Sequence, residues 1–184
     1  MEFDDALLVS NQTLGLDYQY SQVLSQSSRY MLYGSYARQQ DAGDNPNSYD
    51  AEYWTVEANL WLDQWQSGLG VEVLGSDNSI GFATPLATLH KFQGFADKFL
   101  TTPANGIEDK YLKLGYKLDQ LELMAFYHWL DAAEDEADYG KELDLQLSYN
   151  LNAQHAVLLK YADYQANSLH TDTSKFWLQW LAKY

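Results

Sequence analysis

The sequence predicts an all-β fold: an antiparallel, up-and-down transmembrane β-barrel, present as about nine strands and interrupted by one long helical loop insertion. Three observations carry this. Apolar and polar residues alternate with a period of two through nearly the whole chain, whereas the helical period is weak almost everywhere. The segments between the alternating runs are by turns short and long. The apolar faces end in Tyr and Trp, while the opposite faces carry charges in mid-strand.

The alternating runs follow in order. Leu14, Leu16, Tyr18 and Tyr20 share one face, as do Tyr30, Leu32, Gly34 and Tyr36. Trp54 to Leu62 and Leu69 to Val73 form the next pair, then Leu112 to Leu118 and Leu123 to Trp129. Leu143 to Leu151, Val157 to Tyr161 and Phe176 to Tyr184 complete the series. Their lengths suit the ~9–11 residues that cross a bilayer at a tilt. Short connections fall at Ser21–Ser28, Asp63–Gln66, Asp119–Gln120 and Asn152–Gln154, and long ones at Gln40–Glu52, Ser76–Asp109, Asp131–Gly140 and Asn167–Ser174. Short turns on one side and long loops on the other is the arrangement of an outer-membrane barrel, the short side being periplasmic. The three prolines (Pro46, Pro85, Pro103) all lie outside the runs, as ladder hydrogen bonding requires.

Composition narrows the function. A formal charge of −15 argues against a nucleic-acid partner, which would need a cationic footprint. Aromatics at 15% exclude an acidic disordered tail. The absence of cysteine excludes disulfides and thiol chemistry. The opening Met-Glu-Phe-Asp-Asp has neither the basic nor the apolar stretch of a signal peptide. Periodicity alone is also consistent with a soluble antiparallel sheet wetted on one face, though it favours the barrel. The functional counterpart of that alternative is a soluble β-sandwich carbohydrate-binding module.

Residues 76–109 break the alternation. Thr84-Pro85 suits a helix start, and Leu86, Leu89, Phe92, Phe95 and Phe99 follow at spacings of three or four. A loop of this length is usually functional. In a barrel it would lie on the extracellular side and fold over or into the pore, bringing Thr84, His90, Lys91, Asp97 and Lys98 to the channel. A packed helical plug without ligand contact is the other reading.

By parity, Glu57, Glu72, Glu122 and Asp144 face inward, as do Lys113, Lys117, Lys160, Lys175 and Lys183. The lysines form either a cationic ladder guiding anionic solute or neutralising partners for Glu122, Glu142 and Asp144 on adjacent strands. Trp61 and Trp177 also point inward, to stack on sugar rings or to pack against the inserted loop. Glu134, Asp135, Glu136 and Asp138 lack the spacing of a dedicated calcium loop and read as a solvated acidic loop, and Asp41, Asp44 and Asp50 read the same way. His90, His128, His155 and His170 sit on separate elements with no metal-binding spacing. No metal, no cofactor and no catalytic residue is expected. A glycosidase would need a close carboxylate pair, for which nothing in the sequence speaks.

The stretch LGSDNSIGFATPLATLHKFQGFADKFLTTPANGIED, Leu74–Asp109, resembles the corresponding segment of the bacterial alginate-export porin family, in GSDN, TPLATLH, F-x-G-x-A-D-K-F and TPANG-[IL]-ED. NQTLGLDY from Asn11 and LKYADY at Leu159–Tyr164 agree with it, and the closing KFWLQWLAKY resembles an outer-membrane insertion signal read by the assembly machinery at Tyr184. The resemblance implies a Gram-negative outer-membrane barrel of roughly eighteen strands, of which residues 1–184 would be the C-terminal portion. It implies membrane lipid as the surroundings and passive passage of an anionic polysaccharide, alginate-like, or a related small solute. The sequence departs from that expectation in its arginines. There are two, Arg29 and Arg38, both near strand ends, and Arg38 falls on the Tyr36 side.

Overall fold

The computed structural model describes residues 10–84 and 93–183. Nine long strands form one antiparallel sheet in which every neighbour but one is also the neighbour in sequence. They are β1 (Asn11–Ser25), β2 (Ser28–Asp41), β3 (Asp50–Leu62), β4 (Trp65–Leu74), β7 (Ile107–Leu118), β8 (Leu121–Asp131), β9 (Asp138–Asn150), β10 (His155–Ala166) and β11 (Thr173–Ala182). The exception is the step from β4 to β7, which spans the insertion. The insertion's own hairpin, β5 (Ser76–Asp77) and β6 (Ile80–Gly81), makes a separate two-stranded ladder. Its turn residues Asn78 and Ser79 both have positive φ, the primed geometry that matches strand twist.

At one end of the sheet the connections are tight. Asp63 and Asp119 adopt positive φ there, a conformation a short polar side chain tolerates. The opposite end carries the long connections at 42–49, 132–137 and 167–172 as well as the insertion.

Register confirms the two faces. Leu16, Tyr36, Trp54 and Val73 form one cross-strand row, and Leu114, Ala125 and Leu145 form another. These side chains point away from the concave face, and the large ones stay exposed away from the long-loop end: Leu16 by 69%, Leu114 by 51%, and likewise Leu178 of β11 by 67%, whereas Val73 at the end of β4 is buried. Among the described residues no second sheet packs over them, so the sandwich architecture is not adopted. Burial is instead found inside the curve of the sheet at its long-loop end, where Phe95, Ala96 and Phe99 of the insertion join Leu74, Ile107, Leu130, Tyr139, Ala162 and Tyr164.

The insertion departs from expectation. Among the described residues it carries no helix, and Leu86, Leu89 and Phe92 of the expected helical face lie outside those residues. From residue 93 onward the reason is visible. Gln93, Gly94 and Asp97 have φ of 51°, 88° and 54°, which no right-handed helix accommodates. The backbone N–H groups of Phe95 and Ala96 donate to side chains of the sheet rather than to carbonyls one turn back.

Candidate functional site

The inward face of β3, β4, β7, β8 and β9 concentrates charge where the insertion crosses it. Glu72, Asp109, His128, Glu142 and Asp144 are all buried. Buried charge is costly unless each group is paired or hydrogen-bonded, and these groups are. Tyr53 Oη donates to Glu72 Oε1 at 2.8 Å, and Gln93 of the insertion donates to Glu72 Oε2. His128 Nδ1 lies 2.9 Å from both oxygens of Asp109, and its Nε2 lies 3.7 Å from Asp144 Oδ2. Asp144 Oδ2 accepts from Phe95 N at 2.8 Å, and Glu142 Oε1 from Ala96 N at 2.6 Å.

These contacts fasten the insertion to several strands. Buried Gln39 on β2 accepts from Ala83 N at 2.8 Å and donates to Ala83 O at 3.0 Å. On β11, Lys175 donates to Ala96 O and lies 3.7 Å from Asp97, while Lys98 donates to Thr173 Oγ1 at 3.0 Å. Phe95 meets Phe126 edge-on at 5.7 Å, with Lys160 Nζ 4.3 Å from its ring. Residues 93–98 thus form a backbone strap across the concave side from β4 to β11, and Ala83 is held separately at β2. Gly94 is required in the strap, because a Cβ there would stand 2.5 Å from the Glu142 carboxyl carbon.

Beside the strap lies a cavity of about 500 Å³ walled by Tyr53, Glu57, Glu72, Tyr111, Lys113 and Lys160, among others. Inward glycines shape one side of it. At Gly68 and Gly70 of β4 a Cβ would collide with Lys113 Cε and the Tyr111 ring, each at 2.4 Å. Those side chains of β7 therefore lie flat across β4 and reach Glu57 on β3, Tyr111 Oη at 2.5 Å and Lys113 Nζ at 3.0 Å.

The structure thus gathers Glu57, Glu72, Asp144, Lys113, Lys160, Lys175, Asp97 and Lys98 about the strap. It does not gather the others. Lys117 and Glu122 are cross-strand partners near the tight-turn end, both exposed, and Lys183 lies just past β11. Trp61 is at the same end with the Arg29 guanidinium 4.2 Å from its ring, whereas Trp177 packs against the core cluster that holds Phe95 and Ala96. Thr84 is exposed, and His90 and Lys91 lie outside the described residues. Asp109, His128, Glu142, Gln93 and Gln39 were not singled out from the sequence as pore residues. Inward parity was the one available signal for His128 and Glu142, and nothing in the sequence marks Gln39 as the clamp on Ala83. Arg38 points outward and pairs with Asp50, its Nε 2.6 Å from Oδ1.

The acidic loop is used as bracing. Asp135 accepts from Ala137 N at 2.8 Å and from Asn105, and Asp138 accepts from Gly140 N at 2.8 Å and Asn167 Nδ2 at 2.9 Å. No cluster of three or more metal-ligating side chains occurs among the described residues.

No protein-family model and no curated protein matches the chain, so the alginate-export resemblance rests on its motifs. Solved structures do match. A crystal structure of the outer membrane protein OprD from Pseudomonas aeruginosa superposes with a TM-score of 0.69 at 15% identity, over 94% of this chain and 51% of that one. An improved crystal structure of the same protein gives 0.68 at 15%, over 95% and 55%. The chain therefore spans about half the length of the structures it matches, and what it shares with them is the fold: the antiparallel wall of an outer-membrane β-barrel.

Proposed function

We propose that the chain forms part of the wall and the constriction of a passive diffusion channel in the bacterial outer membrane, and that it does no chemistry on what passes. One observation carries this reading: the leucine face of the sheet is turned outward while a strap is pinned by hydrogen bonds across its charged inner face. Hydrocarbon tails tolerate the first, because between neighbouring strands the ladder hydrogen bonds are satisfied within the sheet, and an aqueous lumen suits the second. Strands β1 and β11 are the sheet's edges and run in the same direction, so closing the barrel antiparallel takes an odd number of further strands.

The solute is a polar molecule small enough to pass the strap. An anionic polysaccharide is the finer reading and follows from the motif resemblance, with Lys113, Lys160 and Lys175 as the cations that would meet its carboxylates. Planar bilayers tell the cases apart. The purified protein is expected to give stepwise ohmic conductance, and proteoliposomes to swell in uronate monomer. Swelling in uronate oligomers supports the polysaccharide reading, and its absence restricts the channel to small solutes. Bilayers that stay silent over a range of protein concentrations overturn the channel itself.

A further inference from the structure

The outward face holds a feature that a uniform hydrocarbon surround does not call for. Lys110 on β7, Trp129 on β8 and Lys141 on β9 form one cross-strand row, continued by Gln165 on β10. The row lies at the long-loop end of the apolar band, which under the proposed function is the outer surface. Immediately below it come Leu112, Tyr127 and Leu143, and below those Leu114, Ala125 and Leu145. Successive rows on one face are ~6.7 Å apart.

The apolar rows are not flat. Ala58, Ser67 and Ala125 are small where their neighbours are leucines, and they leave a depression of about 630 Å³ whose walls include Leu69, Leu112 and Tyr127. The charged row above has a definite polarity. Lys110 is held by Glu108 and by Asp131 at 3.3 Å. Lys141 is exposed and makes no ion pair among the described residues. Trp129 stacks edge-on with Tyr127 at 4.7 Å and is 42% exposed.

We propose that this is a seat for one phosphorylated lipid of the outer leaflet, an acyl chain lying in the depression and the phosphate meeting Lys141, with the Trp129 indole N–H beside it. The proposal rests on the outer-membrane reading above. Its occupant follows from the order of the rows: an apolar trough, then amphipathic rings, then a cation without a carboxylate of its own, which is the sequence of chemistries along such a lipid. Non-specific attraction does not account for it, since a chain of net charge −15 repels anionic lipid overall.

The test uses protein purified from membranes in mild detergent, stripped of lipid, and offered an equimolar mixture of phosphatidic acid and phosphatidylcholine with identical acyl chains. Retained lipid is counted by mass spectrometry. The expected result is retention of phosphatidic acid about five-fold over phosphatidylcholine, the ratio that one lysine near an anionic headgroup supplies. K141Q should bring the ratio near one, A125L should lower retention of both lipids by filling the trough, and R29Q on the inner face should change neither. Equal retention by the wild-type protein, or a preference that survives K141Q with K110Q, overturns the seat and leaves the channel standing. Retention of neither lipid, with no insertion into bilayers, overturns both.

Discussion

Lys113 on β7 reaches over Gly68 of β4 to place its Nζ 3.0 Å from Glu57 Oε1 on β3. The ion pair thus spans two strand spacings, where ordinary cross-strand pairs span one. It exists because β4 has no side chain in the way at Gly68 or Gly70. The spans are not equally forgiving: Lys113 Cε can swing aside, whereas the Tyr111 ring cannot move far without leaving Glu57.

G70V should therefore lower stability by about 1–3 kcal/mol, the range for overpacking a filled site. G68A should cost less. Heat-modifiability on gels, scored by the temperature at which the folded band disappears, measures the difference. A G70V protein that melts with the wild type would mean that Tyr111 does not lie across β4.

The strap depends on carboxylates of β9. Glu142 and Asp144 accept from Ala96 N and Phe95 N, and replacing both with alanine leaves those N–H groups unpaired, a cost of about 1–3 kcal/mol each. The double variant should loosen the strap, raising single-channel conductance and adding flicker in planar bilayers. Unchanged conductance and noise would place the constriction elsewhere.

Charge on the two sides of the cavity should set ion preference. E57Q removes negative charge from the β3 side and should shift the reversal potential under a salt gradient toward anions. K160Q should shift it toward cations. The shifts should shrink as ionic strength rises and the screening length falls below ~10 Å.

His170 lies in the loop between β10 and β11, its ring 5.1 Å from that of Phe99. Partial burial, and then the positive charge of Lys98, hold its pKa below the ordinary 6.5. The docked loop therefore resists protonation more than the released loop does. Docking should be complete above about pH 6.5 and weaken as pH falls below that value, because the released form then binds the extra proton. Hydrogen exchange of residues 167–172 should be faster at pH 5 than at pH 7.5 after correction for intrinsic rates, and H170Q should remove the difference.

Lipid and water should be told apart by parity. Leu114→Arg on the outward face should cost about 2–4 kcal/mol, as a charge near the bilayer midplane does. Met124→Arg, one strand over on the inner face, should cost less. Equal penalties in bilayer-folded protein would contradict the assignment of the faces.

Sequence alone determined the strands, their order of short and long connections, and which residues share each face. A period of two admits one face per parity, and Leu14 to Tyr20 or Leu143 to Leu151 can be read in one way once either face is apolar. It also placed Glu57, Glu72, Lys113 and Asp144 on one surface. Only the tertiary structure decided that the leucines meet no second protein layer and that residues 93–99 form a strap where a helix was expected. The apolar spacing of Phe95 and Phe99 fits a helix locally, but Asp144 and Glu142, far along the chain, take the N–H groups such a helix would use. Gln39 and the Gly68–Gly70 trough escape a linear reading for the same reason: each acts on a backbone or side chain that folding brings alongside, and no periodicity encodes that approach.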